Sequence, residues 1–191
     1  MIRLFRSALA TLSIFATSWT YAAEGDLGIV LLHGKWDRAP TNVLALSRQL
    51  EDAGYKVAAP LMPWSDTRGY DATYTQALEE IEAAAKSLRT KGATRIVIAG
   101  LSLGANGAIA YAASGRQVDG IAALSPGHTP ERGNFRKALE TSVAKARGMV
   151  ESGNGAVKAM FEDRNQGQSR TVRTSAQAYL SYFDPEGMGN M

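Results

Sequence analysis

The chain of 191 residues contains no cysteine and only two histidines, His33 and His128. The first absence excludes disulfides, thiol nucleophiles and cysteine-ligated zinc. The second leaves no recognisable ligand cluster, so we expect no metal. Nucleotide-cradling signatures are missing too: Gly100, Gly104 and Gly107 do not make G-x-G-x-x-G, and no G-x-x-x-x-G-K-[ST] occurs. We therefore expect no cofactor. Charge of one sign is also scarce. The formal excess is +3, and Arg3 and Arg6 lie in a leading segment without acids. Removing that segment leaves 19 basic against 18 acidic residues, or +1. No basic stripe remains to follow a phosphate backbone, so no nucleic-acid partner is expected. With 45% apolar residues, 8% aromatics and no repeat or low-complexity tract, the composition is that of one globular domain with a real core, and two large domains are excluded.

Residues 1–22 read as a secretory signal peptide. Met1 to Arg6 is a positive start, Ser7 to Trp19 a mostly apolar stretch, and Thr20-Tyr21-Ala22 a small-x-small cleavage site, with the cut after Ala22 or Ala23. The alternative, a membrane-spanning anchor, is disfavoured because the stretch is short and interrupted by Ser7, Thr11, Ser13, Thr17 and Ser18. The expectation is a periplasmic or secreted protein without stable membrane insertion. Residues 23–191 then form a single domain.

That domain begins with Gly28-Ile29-Val30-Leu31-Leu32, an unbroken apolar run suited to a strand covered on both faces. Thr41 or Asn42 caps a helix carrying Val43, Leu44, Leu46 and Leu50 inward, closed by Gly54, and Tyr55 to Leu61 returns as a strand. Thr75 caps a second helix with Leu78, Ile81, Ala85 and Leu88 as its apolar face and Gly92 beyond its end. Arg95–Ala99 and Val118–Leu124 are strands around a helix from Ala105 to Ala113. This alternation predicts a mostly parallel central sheet with flanking helices. After Pro126 come a polar helix over about Phe135–Glu151, the glycine-rich Ser152 to Gly155, a mixed stretch to Arg173, a short helix over Thr174–Phe183 and a turn at Asp184-Pro185-Glu186-Gly187.

Gly100-Leu101-Ser102-Leu103-Gly104 matches G-x-S-x-G. A chain of this make-up produces such a pentapeptide by chance about one time in seven, so its context decides. It sits between an apolar strand and a helix of small residues, where a serine nucleophile needs a sharp, strained turn and glycines two places before and after it. Upstream, His33-Gly34-Lys35-Trp36 directly follows the first strand. An oxyanion is best stabilised by two preorganised amides, and those of Leu103 and Lys35 are the candidates. His33 reads mainly as a buried scaffold for that loop.

A strand ending in His33-Gly34 and a later strand running into Gly100 to Gly104 resemble the α/β-hydrolase family, small exported bacterial members above all, over about residues 27–128. The resemblance implies an α/β-hydrolase-like sheet, Ser102 as nucleophile and a small-molecule acyl substrate, with an ester, thioester or amide cleaved through a Ser102 acyl-enzyme. Residues 129–183 stand where the family carries a cap. The family's order of Ser, acid and His is not completed here, because His128 alone follows Ser102 and comes early. Either the chain lacks its last core strands, which would leave an unpaired apolar edge, or His128 serves as base from an unusual position. The former is the expectation. Glu131, Asp163 and Asp184 fall in turns or polar segments, and no triad acid is assigned. Trp36, Trp64 and Tyr70 either line a pocket or pack, and Tyr179, Tyr182 and Phe183 read as packing. The competing function is a non-catalytic exported binding protein on the same scaffold. Oligomeric state is not legible.

Overall fold

The structure, a computed structural model, describes residues 26–38 and 41–190. The signal segment 1–22 lies outside the described residues, as do the side chains of Thr41 and Asn42, to which a cap was assigned. Among the described residues, no helix is long and apolar enough to cross a membrane.

Four parallel strands form the main sheet in the order β2-β1-β3-β4: β1 (Leu27–Leu32), β2 (Lys56–Ala58), β3 (Arg95–Leu101) and β4 (Gly120–Leu124). Alternate residues of β1 serve opposite faces. Val30 and Leu32 join Ile96 and Ile98 in the larger core, under α2 (Tyr74–Thr90) and α3 (Leu103–Ala113). Ile29 and Leu31 meet Val43 of α1 (Thr41–Asp52) in a smaller core on the reverse face. Two-sided burial is why β1 reads as a continuous apolar run.

Several boundaries and faces differ from the sequence expectation. Leu44 and Leu46 point outward, because the buried stripe of α1 runs through Val43 and Ser47 at i, i+4. The strand predicted from Tyr55 to Leu61 is only Lys56–Ala58, with Pro60 and Pro63 lacking the amide donors a longer ladder requires. The cap of α2 is Thr73 rather than Thr75: its hydroxyl accepts from the Gln76 amide while the Gln76 side chain accepts from the Thr73 amide. Leu78, Ile81, Ala85 and Leu88 form the buried face as expected.

The largest departure lies between residues 158 and 175, where the mixed stretch is a two-stranded antiparallel hairpin of β5 (Lys158–Asn165) and β6 (Gln168–Ser175). Its two-residue loop has φ of 50° at Gln166 and 80° at Gly167, the paired positive values of a type I′ turn. The hairpin is flanked by α4 (Gly133–Glu151) and α5 (Ala176–Phe183). Phe161 and Val172 of the hairpin, Leu139 of α4, and Tyr179 and Phe183 of α5 all enter the larger core. Phe161, Tyr179 and Phe183 stack successively at 4.5 Å between centroids. Segment 133–183 is thus built onto the core rather than appended to it. β4 is an edge strand, with Ile121 and Leu124 exposed.

Candidate active site

Ser102 stands at the junction of β3 and α3 with φ 54° and ψ −120°, well outside the conformations that L-residues favour. Its amide donates to the Leu124 carbonyl at 2.9 Å, which ties the turn to β4. The flanking glycines are steric requirements. A Cβ on Gly100 would lie 2.1 Å from the Gly104 carbonyl oxygen, and one on Gly104 would lie 2.6 Å from the carbonyl oxygens of Leu32 and His33. Both are distances no real side chain shows, so the serine is held up by close backbone approach. Among the described residues, none hydrogen-bonds the Ser102 hydroxyl.

The Leu103 amide opens α3 and, among the described residues, has no backbone acceptor, whereas that of Ala105 donates to the Ser102 carbonyl at 2.9 Å. Opposite it, a Cβ on Gly34 would lie 3.5 Å from that of Ser102, so the loop after β1 passes directly beside the serine. His33 is fully buried and bonded through both ring nitrogens. Nδ1 donates to the Gly34 carbonyl at 2.7 Å and Nε2 accepts from the Met62 amide at 2.9 Å. Burial pushes its pKa down, so it is a neutral strut.

The Lys35 side chain does something the sequence did not suggest. Its ammonium turns into the protein and donates to Asp163 Oδ1 at 2.7 Å and to the Arg164 carbonyl at 3.0 Å, above the rings of Phe135 and Phe183. Asp163, assigned above to a polar segment, lies within β5 and is completely buried. Besides Lys35 it accepts from the Trp36 indole at 2.5 Å, the Tyr70 hydroxyl at 2.7 Å and the Arg164 amide at 2.7 Å. Burial pulls the Lys35 ammonium below the usual lysine range while Asp163 opposes it, and burial beside Asp163 pushes the Tyr70 phenol up. Trp36 and Tyr70 are spent on this network, and Trp64 donates its indole N–H to the His33 carbonyl at 2.9 Å. Glu131 and Asp184 form ion pairs with Arg132 and Arg147.

His128 shares a cavity of about 220 Å³ with Ser102, Lys35 and Leu103. Its ring lies between Phe135 and Phe183. Nε2 is 2.6 Å from the Tyr182 carbonyl oxygen, which can only accept, so Nε2 carries the hydrogen and Nδ1 the lone pair. Nδ1 is buried without a partner. Burial, with the Lys35 charge adding to it, pushes the imidazole down to about 3. Asn106 of α3 clamps the loop that carries this histidine. Its Oδ1 accepts from the Gly127 and His128 amides, and its Nδ2 donates to the His128 carbonyl.

The hairpin tip completes the site. Asn165 and Gln166 line the first cavity and also a second one of about 240 Å³, in which Ser102 is joined by Gly34 and Ser125. Neither Asn106 nor the tip was anticipated. The signal for the tip was Asn165-Gln166-Gly167-Gln168, a turn sequence between two segments of alternating burial. Among the described residues, no group of three or more histidine, aspartate or glutamate side chains could hold a metal ion.

A parallel sheet whose central strand runs through a strained Gly-x-Ser-x-Gly turn into a helix defines a class of α/β protein. Within that class, the family model described as "Alpha/beta hydrolase family" matches residues 29–187, and the chain belongs to that family. Among solved structures, a monoacylglycerol lipase from Paleococcus ferrophilus is 22% identical, with a TM-score of 0.55 over 85% of this chain and 65% of that one, and shares the fold. A siderophore hydrolase from Aspergillus fumigatus is 16% identical over 83% of this chain and 57% of that one, with a TM-score of 0.47. A structure from work on metagenome-derived lipolytic enzymes is 23% identical over 51% of this chain and 40% of that one, with a TM-score of 0.45. The chain therefore spans between 40% and 65% of the length of these structures. No curated protein matches its sequence.

Proposed function

We propose that the protein is a serine hydrolase cleaving a small acyl ester, thioester or amide through a Ser102 acyl-enzyme, and that it acts after export to the periplasm or the medium. The observation that carries this reading is the strained backbone of Ser102 between two glycines, beside a cavity faced by the first turn of α3. Strain of that size persists only where the surrounding structure enforces it, and it lifts the hydroxyl clear of both the helix and the sheet.

In the proposed reaction, Ser102 Oγ bonds to the carbonyl carbon as its proton passes to a base. The developing oxyanion is held by the Leu103 amide and the amide of Lys35 in the neighbouring loop. Collapse breaks the bond to the leaving group, which departs with that proton. Water then cleaves the acyl-enzyme, releasing the carboxylic acid and restoring the serine. His128, with a lone pair on Nδ1, is the base this cavity offers. With its pKa at about 3 the imidazole stays neutral and weakly basic, so its contribution falls well below the ~10²–10⁴-fold usual for a tuned general base.

A second reading, a binding protein on the hydrolase scaffold, is favoured by one observation: among the described residues, no carboxylate hydrogen-bonds either histidine. Intact mass after exposure to a fluorophosphonate separates the two. A single adduct that disappears in Ser102→Ala is the expected result. Folded wild-type protein that acquires no adduct would overturn the hydrolase reading and leave the binding one.

A further inference from the structure

We propose that Asp163 is a positioning residue for the oxyanion hole: through the side chains of Lys35 and Trp36, it fixes the turn that presents the Lys35 amide beside Ser102. The proposal rests on the hydrolase reading, which supplies the oxyanion to be held.

The two amides of that hole are secured unequally. That of Leu103 is set by the strained serine turn and by α3. Lys35 lies in an irregular loop, and among the described residues its amide donates to no backbone carbonyl, which leaves the N–H open to a ligand. The next residue, Trp36, has φ of 64°, in the left-handed region that a bulky side chain rarely adopts. Such a conformation persists only where its surroundings over-determine it. Part of the constraint comes from the loop after β2, where the Trp64 carbonyl accepts from the Trp36 amide at 3.0 Å. The rest comes from the hairpin.

In extended backbone, successive side chains point to opposite sides. Those of Lys35 and Trp36 instead converge on one carboxylate, with the ammonium at Oδ1 of Asp163 and the indole N–H at Oδ2. One fixed group holding both side chains restricts the torsions on either side of the Lys35–Trp36 peptide, and with them the orientation of Lys35 and its N–H. The Asn165 side-chain amide reaches the carbonyl of that same peptide at 3.5 Å. Asp163 suits the task, because it lies within β5, is completely buried, and is itself held by the Tyr70 hydroxyl and the Arg164 amide. Phe161, two places before it on the same face, is packed into the larger core, so the carboxylate is carried on a rigid element. A buried ion pair is weak evidence for stability, since apolar residues of similar volume often serve a fold as well. What this pair supplies is direction.

The test compares the wild-type protein with Lys35→Met and Trp36→Phe. Lys35→Met keeps the backbone amide and leaves Asp163 its bonds from Trp36, Tyr70 and Arg164, while Trp36→Phe keeps a ring beside Arg170 and removes the indole N–H. Competent sites are counted by the end point of fluorophosphonate labelling. Turnover of 4-nitrophenyl butyrate and inhibition by phenylboronic acid are then measured per site. The boronic acid bonds to Ser102 Oγ as the serine proton leaves, giving a tetrahedral anion that calls on the same two amides. Removing an oxyanion donor costs about 10²–10³-fold in kcat, and a misdirected one should cost less, so Lys35→Met should lower kcat about 10–100-fold. Boronate inhibition should weaken by a similar factor, with KM changed less than about twofold, because the donor acts on the tetrahedral state. Trp36→Phe should show the same split at about 3–10-fold, the scale of one hydrogen bond. A merely structural role would reduce the number of labelled sites and leave the constants per site unchanged, and that result would overturn the proposal. So would a raised KM at unchanged kcat. If Lys35→Met yields no folded protein, Trp36→Phe decides alone. Wild-type protein that takes no adduct would sink the hydrolase reading and this role with it, whereas an adduct together with unchanged constants in the variants would sink this role alone.

Discussion

The two halves of the molecule hold the site by different physics. Between Leu27 and His128, Ser102 is placed by backbone geometry: its own positive φ, glycines where any Cβ would collide, and a neighbouring strand, β1, buried on both faces. Between Gly133 and Phe183, the hairpin and its two helices hold the site from above through side-chain chemistry. Asp163 gathers four donors there, and Lys35 is the long arm that reaches it. The first arrangement tolerates almost no change at a few glycines. The second depends on completeness, since a polar network that loses one member leaves the others buried and unsatisfied.

The sharpest break in this comparison is Ser102→Ala, which keeps the backbone and removes only the hydroxyl. Turnover of any ester substrate should fall by at least ~10³-fold with the urea midpoint little changed. Unchanged turnover would place the chemistry elsewhere. Next in size is Asp163→Ala, which strands the buried Lys35 ammonium and should cost about 3–5 kcal/mol by urea denaturation. The double variant Lys35→Met/Asp163→Leu should lose less than that single change. If it loses more, the network stabilises the fold on its own account and not merely through avoidance of an unpaired charge.

The contrast explains what could be read in advance. The parallel sheet, the serine turn and the buried face of α2 follow from local rules: apolar runs, glycine spacing and 3.6-residue periodicity. The hairpin followed the same kind of rule, but its inward positions alternate Phe161, Asp163, Val172 and Thr174, two of them polar, which blurs the period-2 signal. Asp163 could not be recognised because its side-chain partners Lys35, Trp36 and Tyr70 lie more than 90 residues away in sequence. Asn106 was hidden in the same way, inside a helix of small residues.

A milder test uses pH. His128 has a folded-state pKa of about 3, below its ordinary 6.5, so the unfolded chain takes up a proton first as pH falls. Stability should therefore be intact above pH 6.5 and decline towards about pH 3, with a slope of up to ~1.4 kcal/mol per pH unit from this group. His33, shifted in the same direction, adds to the decline. Urea midpoints between pH 7.5 and 4.5 should show it, and His128→Gln should flatten the profile. The smallest effect belongs to the hairpin turn: Gln166→Asn, suited to positive φ, should raise stability by about 0.5 kcal/mol. A loss of stability there would mean that the Gln166 side chain holds the tip in place.

The bond from Lys35 to Asp163 joins residues 128 positions apart. Closing a loop of that length costs about 4 kcal/mol of chain entropy, repaid only after the intervening strands and helices are in place. The order of the loop beside Ser102 is therefore bound to the docking of a hairpin that lies far along the chain, and whatever unseats the hairpin also releases that loop's anchor.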